Sequence, residues 1–347
     1  MKILVFEFAT LNKLEDSSIT VEGNAMLQGL LEDLKKFKTY NLIPTGSNTI
    51  QSFNSQAIPM TGNLMEWISS NIKKYDGCIP IAPEENNILY NLTSLIEKQG
   101  VEVIGSTSDA VMKTTNKLDT YNILKNKVPI IKTEKVYFND SIENYKKQIN
   151  KFNTGLDKQS KVLKPVDGVS CAGVNVINSF NEFIIAKDHI KKHTKLPYFI
   201  LQNYISGINV SVSLLSDGIE AIPLSLNFQD VTLKSGKIQY QGGIVPFKHA
   251  LSDIAMETAK TAVKSIPGLK GYVGVDMILD NKNDEVYIVE INSRPTTPYV
   301  ALRKLLNFNL GEAVINAVYG KLPTEIELNG QINFYKEDKT LRFSVLK

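Results

Sequence analysis

The feature that most constrains this chain is the stretch GYVGVDMILDNKNDEVYIVEINSRP, residues 271–295. Two apolar runs flank the polar segment Asn281–Glu285, the pattern of two antiparallel strands joined by a hairpin loop. Pairing symmetric about Asn283 places Asp276 opposite Glu290 and Ile278 opposite Ile288. Because strand side chains alternate, Glu290, Asn292 and Arg294 share one face. Two carboxylates directly across an antiparallel pair have Cβ atoms roughly 5 Å apart and repel each other. A divalent cation would neutralise them. Asn292 adds a neutral oxygen, and an all-oxygen set suits Mg²⁺, which keeps waters and completes its shell with phosphate. The alternative is a solvated face with two unrelated acids, which the apolar neighbours disfavour.

Upstream, residues 1–110 alternate strand and helix patterns. KILVFEF precedes GNAMLQGLLEDLKKF, DGCIPIAP precedes NNILYNLTSLIEKQG, and VEVIGS follows. That order predicts an open α/β sheet with ligands beyond the carboxyl ends of its strands. Glu7, Glu22, Glu84 and Glu85 fall near such ends, where an acid can equally stabilise a helix N-terminus. A helix over 109–127 then leads through Val128-Pro129 into the strand patterns IIKTEKVYF, SKVLKP, GVNVI and YFILQNYI, with helical stretches between them. These predict a small antiparallel α+β unit over 111–205. Longer strands and a further helix follow over 206–320, and the tail 321–347 reads as a last strand or hairpin.

A second candidate feature is KVLKPVDGVSCAGVNVI, residues 161–177. A strand ends at Lys164, and a loop carries Gly168, Ser170 and Gly173. Small residues let backbone N–H groups approach an anion, and a lysine supplies a point charge for phosphate. The GxxxxGK[ST] spacing is absent, and no GxGxxG follows the first strand, which excludes a dinucleotide-dependent dehydrogenase of the usual kind.

Composition narrows the partners. In 347 residues the formal charge is +3 and the lysines form no basic tract, so no nucleic acid is implied. Cys78 and Cys171 lack metal-ligand spacing and read as lone thiols of a reducing cytoplasm. No apolar run approaches membrane length. Only Arg294, Arg303 and Arg342 are arginines among 39 basic residues.

Together these motifs resemble the ATP-grasp superfamily, in particular its carboxylate–amine ligases, from about Lys113 to Gly320. The resemblance implies a fold of mixed α/β and α+β class: an N-terminal open α/β (pre-ATP-grasp) domain, a central lid domain and a C-terminal antiparallel-sheet domain. It implies ATP with Mg²⁺ or Mn²⁺, two ions per site, held by Asp276, Glu290 and Asn292. Lys117 and Lys164 match the family's phosphate-holding lysines. FILQNYISGINVSV matches the hinge strand, which would put Gln202, Asn203, Ile205 and Asn209 at the base and ribose. Gln202 and Asn209 stand where members commonly carry acids, and amides can still hydrogen-bond a nucleotide. The implied reaction phosphorylates a carboxylate and lets an amine attack the acyl phosphate, with Arg294 stabilising the moving charge and Val169–Gly173 closing over the phosphates.

Across the whole chain FEFAT, VEGNAMLQGLLEDL, IAPEENNILYNL, YQGG and NSRPTTPYVALR extend the likeness to archaeal members joining the γ-carboxyl of L-glutamate to tyramine. A different amino acid and amine pair, as in the lysine-joining ligase of pyrrolysine biosynthesis, and a nucleotide-binding regulatory protein without turnover remain the alternatives. For such small-molecule substrates the available groups are Glu7, Glu22, Tyr240, Thr296, Thr297, Tyr299 and Arg303. A homodimer is left open.

Overall fold

Lys2–Glu7 (β1) is buried from Ile3 onward, so it is covered on both faces, as the central strand of a parallel sheet must be. The structure, a computed structural model, describes residues 1–14, 17–46, 54–151, 160–168, 172–234, 237–337 and 340–346. β1 is joined by β2 (Lys38–Pro44), β3 (Gln56–Met60), β4 (Gly77–Ile81) and β5 (Glu102–Val103) in the parallel order β3-β2-β1-β4-β5. Between them lie α1 (Phe8–Leu11), α2 (Ser17–Asp33), α3 (Leu64–Asn71) and α4 (Ile88–Lys98). α4 buries Leu89, Leu92, Thr93 and Ile96, the one-sided spacing of an amphipathic helix. The open α/β expectation holds, with β2, β3 and α3 added to it. β3 is an edge strand that contains Pro59 and is half-exposed, so neither propensity nor periodicity marks it.

α5 (Ser108–Thr115) and α6 (Lys117–Leu124) replace the single helix expected over 109–127. Asn116 leaves helical backbone at φ −87°, ψ 102°, and its Oδ1 accepts from the N–H of Leu118 at 3.0 Å and Asp119 at 3.3 Å. The same residue thus stops one helix and caps the next, which puts Lys117 in a first turn.

The remaining strands are β6 (Thr133–Tyr137), β7 (Lys161–Lys164), β8 (Asn175–Ile177), β9 (Tyr198–Asn203), β10 (Ile208–Asp217), β11 (Ala221–Lys234), β12 (Lys237–Val245), β13 (Lys270–Asp280), β14 (Glu285–Asn292), β15 (Gln331–Glu337) and β16 (Thr340–Leu346). With them run α7 (Ile142–Lys151), α8 (Phe180–Ile190), α9 (Ser252–Lys264), α10 (Tyr299–Leu302) and α11 (Leu310–Val318). Among the described residues these strands form one antiparallel sheet, ordered β14-β13-β10-β11-β12-β8-β7-β9-β6, with β15 on β12 and β16 on β15. The segments 111–205 and 206–320 therefore share a sheet, joined through the pairing of Lys237 with Asn175. The tail is the hairpin β15–β16 laid against β12. Val136, Tyr145, Leu163, Phe183 and Phe199 make a separate core for the first of these segments. By contrast, Ile3, Leu30, Tyr272, Tyr299, Val314 and Phe334 belong to one core that fuses the N-terminal sheet to the C-terminal part.

Candidate active site

Asp276 pairs with Glu290 across β13 and β14, as the hairpin symmetry requires, but the register then shifts. Beyond this pair Met277 faces Ile288 and Ile278 faces Tyr287, so the expected partnership of Ile278 with Ile288 does not form. Val289 is the extra residue of a β-bulge. The bulge changes which face each side chain takes. Val286, Ile288 and Ile291 enter the core, while Glu290 and Asn292 turn to the cavity. Without it Ile288 and Glu290 would share a face and one of them would be misplaced.

The two carboxylates open into a cavity of about 700 Å³. Asp276 Oδ1 accepts from Gln229 Nε2 at 2.9 Å and Oδ2 from Asn292 Nδ2 at 3.2 Å. Burial, and then the neighbouring Glu290 charge, push the Asp276 carboxyl above the usual carboxylate range. Burial also works to raise Glu290, but the Lys117 and Lys164 ammoniums outweigh it and hold this carboxyl low. Lys117 Nζ lies 3.2 Å from Glu290 Oε2 and donates to the Gly168 carbonyl at 2.6 Å. Lys164 is buried at the end of β7 and lines the same wall. Two facing carboxylates beside an amide whose oxygen can be turned toward them form a hard-oxygen donor set that fits Mg²⁺.

The hinge residues Gln202, Asn203, Ile205 and Asn209 line the cavity. Gln202 Nε2 donates to Thr133 Oγ1 at 2.7 Å, and Asn203 Oδ1 accepts from Lys161 Nζ at 3.1 Å. Gly168 also lines it, whereas Gly173, in left-handed backbone at φ +73°, lies behind the lining among Pro165 and His193. Ser170 and Cys171 lie outside the described residues, as does most of the loop expected to close over phosphate. Cys78 is buried in the N-terminal sheet.

Arg294 follows β14 and faces the cavity, with Nε at 3.1 Å and Nη2 at 2.8 Å from the same Glu84 oxygen. Its partner is thus Glu84, at the carboxyl end of β4, rather than Glu290. Glu84 Oε1 is buried and accepts no hydrogen bond. Glu7 caps α1 through the N–H groups of Ala9 at 2.9 Å and Thr10 at 2.7 Å. Gly23 lets α2 approach this carboxylate, because a Cβ there would stand 2.4 Å from Glu7 Cδ. Glu22 accepts from Thr297 Oγ1 and is ion-paired with Lys336 of β15. Thr296 and Tyr240 line the cavity too, and the Tyr240 hydroxyl is buried without a hydrogen-bond partner.

Arg303 and Tyr299, expected beside the substrate, are outside the lining. Asp33 draws both away: it accepts from Tyr299 Oη at 2.5 Å and from Arg303 Nε and Nη2 at 2.9 and 2.7 Å. Gln229, Glu84 and Lys336 were not legible as site residues. Glu84 was placed at a strand end, but no local pattern ties it to an arginine 210 positions away.

Buried paired acids with lysines beside them at the wall of a large cavity are suited to phosphoryl transfer, where charge neutralisation and positioning do most of the catalysis. The ATP-grasp domain model matches residues 114–298, and the pre-ATP-grasp domain model matches 47–111. The chain belongs to the ATP-grasp family, and it is an ATP-dependent carboxylate–amine ligase acting on small molecules. It is similar to the tyramine–L-glutamate ligases of Methanocaldococcus fervens, at 32% identity with 87% of this chain and 89% of that protein covered, and Methanocaldococcus jannaschii, at 33% with 90% and 88% covered. Among solved structures, a protein assigned to the ATP-grasp superfamily from Archaeoglobus fulgidus superposes over the full length of both chains, with a TM-score of 0.73 and 25% identity.

Proposed function

We propose that the protein joins the γ-carboxyl of L-glutamate to the primary amine of tyramine, with ATP converted to ADP and phosphate, as a step of methanofuran biosynthesis. The observation that carries this reading is the near full-length likeness to ligases of that name, on a chain that lines one large cavity with Lys117 and Lys164 and also with Glu22, Arg294, Thr296 and Thr297.

A γ-carboxylate oxygen attacks the terminal phosphorus of ATP and ADP departs. The amine nitrogen then attacks the acyl phosphate carbonyl, phosphate leaves with its electron pair, and the amine proton passes to solvent. Lys117 and Lys164 hold the phosphate oxygens at the Glu290 end, and Arg294, fixed by Glu84, donates to the oxygen that becomes negative in each step. Gln202, Asn203, Ile205 and Asn209 seat the base and ribose. Asp276, Glu290 and Asn292 would hold two Mg²⁺ ions, with Mn²⁺ as a substitute; when bound these neutralise the phosphate charge. The segment 111–205, with its own core, serves as a lid that keeps water from the acyl phosphate, and 206–320 as the catalytic domain. Tyr240 lies where its unpaired hydroxyl can take a phenol or ammonium. The enzyme is expected in the cytoplasm, and size-exclusion chromatography distinguishes a monomer from a homodimer.

The test is ADP formation with ATP, Mg²⁺ and L-glutamate, alone and with tyramine, phenethylamine or lysine. Tyramine is expected to stimulate ADP release strongly and phenethylamine weakly, since a pocket that hydrogen-bonds a phenol is left with an unpaired group by its deoxy analogue. Absence of tyramine-dependent ADP above the glutamate background would refute the substrate pair.

A further inference from the structure

Among the described residues four basic and four acidic side chains line the cavity: Lys117, Lys164, Arg294 and Lys336, with Glu7, Glu22, Asp276 and Glu290. Six have a place already. Lys117, Lys164, Asp276 and Glu290 make the phosphate and metal end, Arg294 is anchored on Glu84, and Glu7 caps α1. The other two, Lys336 and Glu22, are paired with each other. They come from opposite ends of the chain, and both lie outside the segments that the family models match, whereas the nucleotide- and metal-facing residues lie within 114–298. The shared chemistry and this pair therefore occupy different parts of the sequence.

An amino acid activated at its side-chain carboxyl must be held by its other end. At neutral pH that end is an ammonium and a carboxylate on one carbon, and its complement is an anion beside a cation. We infer that Glu22 and Lys336 are the receptor for this zwitterionic end of the amino acid substrate, Glu22 taking the α-ammonium and Lys336 the α-carboxylate. The inference rests on the ligase reading proposed above. Both side chains are largely withdrawn from solvent, at 15% and 14% exposure, so their mutual pair is desolvated while one side of it still faces the cavity. A zwitterion entering there replaces one ion pair with two.

The pair is held ready for this exchange. One Glu22 oxygen accepts from Thr297, three residues beyond Arg294, and the other meets Lys336. The Lys336 ammonium lies 5.0 Å from the centre of the Tyr240 ring and donates to the Tyr240 carbonyl at 3.2 Å. Glu22, Thr297, Tyr240, Arg294 and Asp276 line the same cavity, so the receptor and the reacting centre open into one space. Arg303, the cation the sequence offered for this purpose, is held on Asp33 and Glu32 instead. The tail hairpin thereby acquires a role in recognition.

Two substitutions separate recognition from a merely structural tie between tail and α2. With Lys336→Gln, kcat/KM for L-glutamate is expected to fall about tenfold or more through KM, the scale of one lost charged hydrogen bond. The KM for ATP and the response to 4-aminobutyrate, which is glutamate without its α-carboxylate, stay unchanged. With Glu22→Gln the loss appears for glutamate and not for glutarate, which lacks the ammonium. Each analogue is read as a substrate or, below detectable turnover, as a competitive inhibitor. Equal losses for all three carboxylates, a parallel loss of ATP affinity, or no loss with glutamate would overturn the receptor. If the wild-type protein turns over with another amino acid, the glutamate reading falls, and the same comparison with that amino acid and its decarboxylated and deaminated analogues decides the receptor independently. Turnover only with acids that carry no α-amino acid end would overturn both.

Discussion

Asp276 and Glu290 face each other, yet the protein treats them differently. Lysines hold Glu290 ionised, whereas burial and the Glu290 charge raise Asp276. In the metal-free protein the folded state therefore keeps the Asp276 proton to a higher pH than the unfolded chain does. Between the ordinary carboxylate range and that raised value the folded state binds more protons, so this residue's contribution to stability falls as pH rises. Asp276→Asn removes the dependence. Thermal melts in EDTA between about pH 4 and 8 should show a flatter profile and a higher Tm at neutral pH for the variant, which nevertheless loses Mg²⁺-dependent ADP formation. At Arg294 the expected effect is on chemistry. A lysine cannot reproduce the planar donor set, so Arg294→Lys should lower kcat by about 10²-fold with the KM for ATP nearly unchanged. Glu84→Ala should act in the same direction by freeing the guanidinium from its anchor, and steady-state kinetics on both variants checks the pair.

At the scale of elements, two short irregularities place the chemistry. Asn116 breaks the helix that the sequence reads as continuous, and Lys117 emerges in the first turn of α6, its N–H bonded to the Val166 carbonyl at 3.1 Å. Asn116→Ala removes the cap at a cost of about 1 kcal/mol. It should lower Tm and raise the KM for ATP together, as melting and ADP-release assays would register. The Val289 bulge is the other irregularity, and it marks where sequence reasoning reached its limit. The facing of Asp276 and Glu290 was legible because strand alternation and a hairpin loop suffice to predict it. The shift one residue later was not, since a bulge depends on which side chains the neighbouring layers will accept, here Ile288 in the core beneath α9. The residues proposed to face ATP were expected from the resemblance of their local motifs to the family, and the structure gathers Lys117, Lys164, Gly168 and the segment around Gln202 at one cavity. Glu84, Lys336 and the capture of Arg303 by Asp33 are contacts between distant segments, and composition and spacing carry no record of them.

The whole molecule has a fused part and a separately packed part. The core containing Ile3, Tyr272 and Phe334 joins the N-terminal sheet to the C-terminal half, while the core around Leu163, Phe183 and Phe199 stands alone. Hydrogen exchange should accordingly divide the chain. A non-hydrolysable ATP analogue with Mg²⁺ is expected to slow exchange in β7 to β9 and β13 to β14 and leave β1 to β4 unchanged; uniform protection would contradict a lid moving on a fixed base. Within that base, α2 is tied at two points to the segment that follows Arg294: Glu22 to Thr297, and Asp33 to Tyr299 and Arg303, three turns further along. If the segment 111–205 moves as the lid proposed above, the interval between Glu22 and Arg294 does not change with it. A helix pinned in this way is a ruler. L-Aspartate, gripped at the same end but one methylene shorter, should fall short of the phosphate and lose about 10²-fold in kcat/KM, the penalty for misplacing a reacting group by an ångström. Substrate length would then be measured by a fixed span and not by any contact that aspartate fails to make.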